Sequence, residues 1–426
     1  MREGDNRWGW TAGVLLAVAA VRLLAATVLV PAWEAKTHRA PFPDHYPALA
    51  RSLVEEGTLG FQGAGAPITT TRGPGFPAWL ALPLLAGRGG DRVLAWWATL
   101  PGLLGAALAA WACMRFGARP LALASPAAAA LAGLHPLPVF TSSRGMADEF
   151  CGVLGLAGLV AWRCAETSAR GRWLWAGVSG LALGAAMLTR ATALLFLVAL
   201  GAVALLSRAS WRRALLVACV ALLPALVWSL RASRLEGRVV FVHSMAAYNF
   251  WLGEAQDRFG LPSDPGSIRE HAVPLMVREA GVGAAEAERL WYTQSPEQTG
   301  ELERKLGGAA GRRILHDPLG YGARVARGLI RFWISGTTRS TTLAYAAVVL
   351  PFLSLVLVGA LHSRESPRDP LLSAVLLAAA LHALFYAAVC PMARYSVAVY
   401  PACALLAARG LAVLYRSGSD SPPPPP

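Results

Sequence analysis

The sequence carries little charge for its length, and this shortage excludes most soluble folds. Charged residues make up 15% of the 426 residues, hydrophobic residues make up 55%, and the mean hydropathy is +0.45. Soluble domains carry about 25% charged residues. The apolar runs, roughly 17–23 residues long, have no polar face, so lipid or other spans must surround them. The composition therefore predicts a polytopic membrane protein.

Several motifs of soluble or nucleotide-dependent chemistry are also missing. The six cysteines form no CxxC pair, so the sequence indicates neither a zinc site nor a disulfide framework. No GxGxxG follows a strand pattern, and there is no P-loop, HExxH or GxSxG. Lysine occurs only at Lys36 and Lys305, so arginine supplies almost all of the positive charge behind the formal net charge of +14. No basic block with interleaved aromatics indicates a nucleic-acid surface.

What is present is a series of apolar runs that predict about ten (9–13) transmembrane helices in an all-α bundle. The predicted spans are 9–31, 93–113, 120–137, 149–163, 173–189, 191–206, 213–230, 341–361, 370–389 and 396–414. The apolar segment 76–87 is too short to cross and is interpreted as a membrane-dipping or interfacial helix.

Arginine is distributed unevenly between the short loops, and this predicts the topology. Ten arginines lie in the loops 114–119, 162–172, 207–213 and 362–369, whereas the opposite short connections carry only Arg144, Arg190 and Arg394. The positive-inside rule places the first set in the cytoplasm together with both termini. Two long segments, 32–92 and 231–340, then lie outside a bacterial-type plasma membrane.

The predicted organisation has four parts: an N-terminal transmembrane module over 1–230 that includes the outer loop 32–92, an extracytoplasmic region over 231–340, C-terminal transmembrane helices over 341–415, and a disordered cytoplasmic tail over 416–426. Within the extracytoplasmic region we expect helices near 283–292 and 297–315. The run "RVVFVHS" at its start has a strand-like pattern.

The stretch "PDHYPALARSLVEEG" places Asp44 before a predicted helix over 45–56. Tyr46, Leu49 and Leu53 form its apolar side, and Gly57 fits a C′ position. Asp44 suits the N-cap of this helix. An acid partly buried at a membrane surface could instead act as a base. The sequence leaves both interpretations open.

Further charged residues lie at the outer ends of predicted spans. Arg72 precedes the tight turn "GPGFP", Asp148 and Glu149 stand where a span enters the membrane, and Arg190, Arg231 and Arg394 stand at the ends of others. Such arginines can bind phosphate, but they also snorkel to headgroups. Acids at a helix N-terminus are favoured by the helix dipole alone, although an acid entering lipid needs a partner.

Aromatic and amide side chains accompany these charges. The residues His45, His243, Tyr248, Asn249 and Tyr395 lie in the same outer segments. This mixture suits a carbohydrate pocket. Taken singly, the aromatic residues fit an interfacial belt equally well.

The order of these motifs resembles the GT-C glycosyltransferases, in particular the group of glycosyltransferase family 39 with the protein mannosyltransferases and the aminoarabinose lipid A transferases. The matching elements are "DHYPALARSLVEEG", "GPGFP", "MADEF", "GLALGAAMLTR", "WSLRASRLEG", "YNFWLG" and "RYSVAVYP", which follow one another over most of the chain. The resemblance departs from the protein mannosyltransferases at His45, where a Glu is common, and in lacking a large folded domain after the last span.

The resemblance implies a GT-C fold and an inverting transfer of a sugar from a polyprenyl-phosphate donor. It implies that Asp44 is the general base and that Glu149 is the second acidic position. It further implies that Arg72, Arg190, Arg231 and Arg394 hold the lipid phosphate, with the acceptor an envelope lipid, glycan or protein. No metal is required in principle, because arginine can stabilise the phosphate leaving group; a divalent ion is not indicated.

Two other functions fit the same composition. A transporter or flippase of lipid-linked sugars would also be polytopic, and it would place polar residues near the bilayer midplane, for which Arg22 and His382 are candidates. A non-catalytic membrane subunit would have no reacting group at all.

Overall fold

The structure is a computed structural model that describes residues 3–37, 42–61, 68–116, 124–207, 211–259, 265–289, 295–336, 338–362 and 369–419. Within these ranges the chain is helical and forms no strand beyond one isolated bridge between Gly60 and Ile68. The predicted tail falls partly at 420–426, which lies outside the described residues, while the last helix continues through Ser419.

The helices of the first half are α1 Glu3–Leu24, α2 Val30–Lys36, α3 Tyr46–Glu56, α4 Gly75–Leu85, α5 Asp91–Phe116, α6 Ser125–Gly133, α7 Pro136–Ser143, α8 Asp148–Thr167, α9 Arg172–Thr189 and α10 Leu194–Ser207. Those of the second half are α11 Trp211–Glu236, α12 Ala246–Phe259, α13 Pro265–Ala280, α14 Ala284–Arg289, α15 Pro296–His316, α16 Pro318–Ile334, α17 Arg339–Leu361, α18 Pro370–Val389 and α19 Tyr400–Ser419. A π-helical turn joins α1 to α2.

Six helices in the described part of the chain are long and apolar enough to cross a membrane: Trp8–Lys36, Asp91–Phe116, Asp148–Thr167, Trp211–Glu236, Arg339–Leu361 and Pro370–Val389. Shorter apolar helices cover Gly75–Leu85, Ala191–Leu206 and Tyr400–Tyr415. The protein is therefore a multi-pass membrane protein, as its composition predicts.

The predicted span over 120–137 does not form one helix. The chain instead makes α6 and α7, which are separated at Leu134 and His135. Pro136 disfavours the helical conformation of the residue before it, and His135 is extended with ψ 126°. The short helix expected over 76–87 is present as α4.

The second half contains the helices expected near 283–292 and 297–315 as α14 and α15, but the strand predicted at "RVVFVHS" is absent. Val242 and Met245 have φ angles of 62° and 80°, which no strand accommodates. Hydrogen bonds hold this left-handed backbone, because the Val242 N–H donates to Ser229 Oγ at 2.9 Å and its carbonyl accepts from Trp228 Nε1 at 2.8 Å. The result is a tethered loop, 237–245, beside the outer ends of the spans.

Candidate functional site

Asp44 lies just before α3 but does not cap it. The N-cap is His45, in the left-handed conformation at φ 56°, and no side-chain hydrogen bond caps this end of the helix. The Asp44 carboxylate is buried, at 7% exposure, and faces two arginines. Its Oδ1 lies 3.5 Å from Arg72 Nη2, and its Oδ2 lies 3.6 Å from Arg394 Nη1. The capping interpretation is therefore wrong. At the other end of α3, Gly57 adopts the expected left-handed conformation at φ 66°.

Arg72 is positioned by a loop that packs on two other outer segments. Its Nη1 donates to the carbonyl of Thr71 at 3.1 Å and contacts Met245 Sδ at 3.0 Å. The guanidinium lies over the ring of Tyr46, 5.9 Å from the centroid. The Ser244 N–H donates to the Thr70 carbonyl at 2.8 Å, which joins the loop to 237–245. The arginine is thus fixed over α3 and Asp44.

Gly73 permits the close approach that seats this loop, so replacing it with Ala should destabilise the protein. A Cβ at Gly73 would lie 2.1 Å from the Leu188 carbonyl oxygen, which is backbone and cannot move aside cheaply. We expect G73A to lower the free energy of unfolding by about 1–3 kcal/mol. Chemical unfolding in detergent measures this. Gly90 has open space around it, so G90A is the matched control and should change little; equal stability of both variants would contradict the packing seen at Gly73.

A second ion pair lies beside the first. Asp148, the first residue of α8, is fully buried, and its Oδ2 accepts from Arg190 Nη2 at 2.8 Å. Its other oxygen has no hydrogen-bond partner. Arg190 ends α9, and its guanidinium lies 5.5 Å from the ring centroid of Tyr395. Asp148 thus orients Arg190 and retains one free acceptor.

Arg394 and Tyr395 connect the two ion pairs. They belong to the 3₁₀ segment Ala393–Ala398, in which Arg394 Nη2 donates to Tyr395 Oη at 3.2 Å. The Tyr395 ring stacks on Tyr386 with centroids 4.5 Å apart and an interplanar angle of 12°. We call Asp44, Arg72, Asp148, Arg190 and Arg394 the outer charged cluster, after the membrane side that the sequence predicts for it.

Glu149, expected as the second acidic position, lies outside this cluster. Its carboxylate turns into the helix bundle, where Oε1 and Oε2 accept from Arg22 Nη2 and Nη1 at 2.6 and 2.7 Å. Both side chains are almost fully buried. Neighbouring positions on a helix are rotated by about 100°, which is why Asp148 faces the cluster and Glu149 faces Arg22. The structure therefore brings Asp148, not Glu149, to Asp44.

The cluster has an excess of positive charge, since three arginines meet two carboxylates. Burial alone would raise the pKa of Asp44, but Arg394, Arg72 and Arg190 outweigh it and hold the pKa at about 2. Burial alone would lower the pKa of Arg190, but the carboxylate of Asp148 outweighs burial and raises this pKa. Within the described residues, no three His, Cys, Asp or Glu side chains converge as a metal site requires. The charge balance suits an anionic ligand.

A cavity of about 510 Å³ adjoins the cluster through Arg190, which is part of its lining. His243 and Tyr395 are among the other polar residues that line it. The remaining wall is largely apolar and includes Leu194, Leu195, Phe250, Phe385 and Val389. Asp44 and Arg72 do not line it. The cavity can therefore receive an apolar chain whose polar end reaches Arg190.

The aromatic and amide residues predicted for the site divide between the cavity and its surroundings. His243 and Asn249 line the cavity. Burial lowers the pKa of His243 to about 4, so its ring is neutral near pH 7 and contacts the Ser244 carbonyl through Nδ1 at 2.7 Å. Tyr248 is buried behind the wall against Trp251. Arg231 stacks on Trp228 at 4.8 Å, and no contact joins it to the cluster.

The cavity also has lining residues that sequence reasoning missed. Arg238 lines it and pairs with Glu236 at 2.8 Å and with Glu303 at 3.7 Å. Glu303 in turn accepts from the N–H groups of Ala247 and Tyr248, both at 2.8 Å, and so holds the start of α12. Tyr386 and Thr192 share a hydrogen bond of 3.0 Å at the opposite wall. Apart from Arg238–Glu236, these pairs join residues far apart in the chain, so no local motif identifies them.

No protein-family model matches the sequence, and no curated protein matches it. Solved structures do match. The oligosaccharyltransferase of Archaeoglobus fulgidus in its apo form has a TM-score of 0.56 at 16% identity over 96% of this chain. The oligosaccharyltransferase AglB of the same organism, in complex with an inhibitory peptide and a dolichol-phosphate, has a TM-score of 0.51 at 14% identity over 98% of this chain.

The match covers 52% of each of those two longer chains, so this protein spans about half their length. ArnT from Cupriavidus metallidurans bound to undecaprenyl phosphate has a TM-score of 0.42 at 17% identity, over 96% of this chain and 79% of that one. The likeness to the oligosaccharyltransferases confirms the expected fold, a GT-C-type bundle of membrane helices.

Proposed function

We propose that the protein is an integral membrane glycosyltransferase. It moves a sugar from a polyprenyl-phosphate donor to an envelope lipid, glycan or protein acceptor on the extracytoplasmic side, with inversion at the sugar. The observation that carries this proposal is the outer charged cluster, which lies beside an apolar cavity at the ends of spans. The fold it shares with oligosaccharyltransferases and the lipid phosphate named with one of them agree with this function.

The donor's lipid chain occupies the apolar part of the cavity, and its phosphate lies beside Arg190. Negative charge grows on that phosphate as the sugar leaves, and Arg190, Arg394 and Arg238 stabilise it. Asp148 keeps Arg190 in place through the 2.8 Å contact, so it replaces Glu149 as the second acidic position. In this arrangement Arg231 has no part in holding the phosphate.

The sugar lies between His243 and Asn249 on one side and the cluster on the other. Because His243 is neutral and its Nδ1 meets the Ser244 carbonyl, its Nε2 can accept a hydrogen bond from a sugar hydroxyl. Asn249 offers both a donor and an acceptor at the same wall. Tyr46 and Tyr248 support the site from behind rather than contact the sugar.

Asp44 accepts the proton from the acceptor's hydroxyl or amine. It contacts Arg394 at 3.6 Å and does not line the cavity, which suits an acceptor that approaches the sugar from outside the lipid-binding cavity. A carboxylate with a pKa of about 2 is a weak base while Arg72 and Arg394 face it. The donor phosphate draws these arginines towards itself, and burial then raises the pKa of Asp44.

Removing Arg394 should therefore change the pH dependence of transfer. The wild-type Asp44 stays ionised far below neutral pH, so the acid limb of kcat/KM is absent above about pH 5. In R394Q the strongest opposing charge is gone and burial dominates, so we expect the limb to move up by about 1–3 pH units. Rates measured with one donor and one acceptor give both profiles.

The same reasoning gives a stability effect of defined sign. The folded pKa of Asp44 lies below its ordinary value of 3.8, so its ion pairs stabilise the fold above that pH, and this contribution is lost as the pH falls towards 2.

The control for the R394Q rate measurement is R51Q, which breaks an exposed pair with Asp91 and should keep the wild-type pH dependence of kcat/KM. An R394Q profile identical to that of the wild type would contradict the proposed coupling.

The packing inside the helix bundle favours the transferase over the transporter alternative. Arg22 is paired with Glu149, so it is not free to carry a midplane path, and His382 Nδ1 contacts the Ala378 carbonyl of its own helix at 2.8 Å while its Nε2 has no partner in the described residues. Vesicles with and without the chain, supplied with labelled polyprenyl-phosphate sugar and an envelope extract, separate the functions. A transferase yields labelled acceptor and free polyprenyl phosphate. Movement of intact donor across the membrane without either product would overturn the proposal.

A further inference from the structure

A second polar cleft lies beside Ala388, close to the end of α18. Its volume is about 380 Å³, and its walls come from α12, the end of α15 and the first half of α16. The back wall meets Ala388, whose carbonyl accepts from Tyr321 Oη at 3.0 Å and from Arg324. No residue of the outer charged cluster lines this cleft, so it is a separate site.

The acids of this cleft are already engaged. Glu254 pairs with Arg313 at 2.6 Å. Asp257 pairs with Arg327 at 2.5 Å and with Arg331 at 2.8 Å. Asp317 caps α16, accepting from the Gly320 N–H at 2.8 Å. The lining therefore contains no carboxylate left over for a further cation.

Arg324 is the most deeply buried arginine of the cleft lining, and it interacts with the Asp257 carboxylate only at longer range than an ion pair. Its side chain is 3% exposed, and among the described residues no carboxylate forms an ion pair with it. Its Nε and Nη1 have no hydrogen-bond partner, while Nη2 donates to the Ala388 carbonyl. A buried guanidinium with unused donors is unfavourable unless an anion reaches it. A phosphate group presents the oxygens that such a fork matches.

The cleft adjoins the ends of two candidate membrane spans, α17 and α18. Helix α16 packs against the end of the span α18, where a Cβ at Gly328 would lie 2.7 Å from the Ala387 carbonyl oxygen, and it leads into the span α17. Two leucines beside the cleft, Leu315 and Leu319, are 84% and 87% exposed. Further along, Ile330 is also exposed on α16. Exposed apolar side chains next to the ends of spans suit contact with a bilayer.

We propose that this cleft is an anion site that binds one phosphate group, with Arg324 as its principal donor. When the phosphate belongs to a membrane lipid, Leu315 and Leu319 contact the acyl chains. The site does not depend on the glycosyl-transfer function proposed above. Its link to the large cavity is short, because Val389 and Cys390 follow Ala388 directly and line that cavity.

Lipid counting on the purified full-length protein in neutral detergent tests this site. Native mass spectrometry records how many phosphatidylglycerol molecules remain bound as their concentration rises, with phosphatidylcholine as the uncharged comparison. We expect the wild type to bind one phosphatidylglycerol saturably and R324Q to bind it at least about tenfold more weakly. R51Q is the matched control and should keep it, since Arg51 does not line the cleft. R394Q is measured beside it, because a lipid lost only in R394Q would be bound at the proposed donor site.

Inorganic phosphate distinguishes the source of the anion. Displacement of the lipid by millimolar phosphate shows a site that also accepts free phosphate, and a lack of displacement shows a site for lipid headgroups; either result supports the proposal. Equal lipid binding by R324Q and the wild type overturns it, as does loss of the lipid in R394Q alone. If R324Q does not fold, the wild-type titration decides, because a wild type without a saturable site also overturns the proposal.

Discussion

Replacing Asp44 with Asn is expected to lower kcat for sugar transfer by about 10²–10⁴, the range that positioned general bases contribute. Asparagine keeps the shape of the side chain but cannot take the acceptor's proton. Donor affinity should be retained or increased, because the neutral amide no longer competes with the lipid phosphate for Arg72 and Arg394. The measurement is the rate of labelled acceptor formation at saturating donor, together with equilibrium binding of the donor.

Glu55 gives the matched control for this variant. It lies on α3, the helix that follows Asp44, but its side chain is exposed and away from the cluster. E55Q removes one outer-face acid and should keep the wild-type rate. A D44N variant as active as E55Q would show that Asp44 is not the base.

Replacing Glu149 with Gln is expected to have a large effect on stability. The change leaves the buried guanidinium of Arg22 without its carboxylate, and breaking a buried pair in this way costs about 3–5 kcal/mol. The remaining acceptors are the Gly133 carbonyl at 2.9 Å, Ser142 Oγ at 3.2 Å and the Thr99 carbonyl at 3.5 Å, and none of them carries a charge. Chemical unfolding of the purified variants in detergent measures the loss.

The double variant R22M/E149L separates a structural role of Glu149 from a catalytic one. Replacing both partners of a buried pair by apolar residues of similar volume is often neutral for stability. We therefore expect the double variant to recover the free energy of unfolding and to retain sugar transfer. A double variant that folds as stably as the wild type but has lost transfer would return Glu149 to the catalytic site.

The fold could be predicted to a large extent because long apolar runs in the sequence identify the membrane spans. Apolar segments of this length allow little other than a helix across a bilayer. The predictions that failed concern the secondary structure of two short segments. The segment 120–137 is broken by Pro136, and "RVVFVHS" has a strand-like composition but left-handed backbone at Val242. That conformation depends on hydrogen bonds from α11, which no pattern within the run contains.

The site was predictable in its members but not in its pairings. Asp44, Arg72, Arg190 and Arg394 stand at span ends on one predicted side, and the structure brings them together. Whether Asp148 or Glu149 joins the cluster depends on which of them pairs with Arg22. Arg22 pairs with Glu149, from which it is separated by 127 positions in the chain. Arg324 shows the same limit, since its unused donors are visible only once the α12 acids Glu254 and Asp257 are seen to pair with other arginines.

A single-turnover experiment tests the central claim most directly. Purified wild type and D44N are first loaded with labelled polyprenyl-phosphate sugar in detergent, acceptor is then added, and free polyprenyl phosphate and labelled acceptor are followed in time. The predicted result is that the wild type releases both products in equal amounts, whereas D44N holds the donor intact. Release of both products by D44N at the wild-type rate would contradict the account.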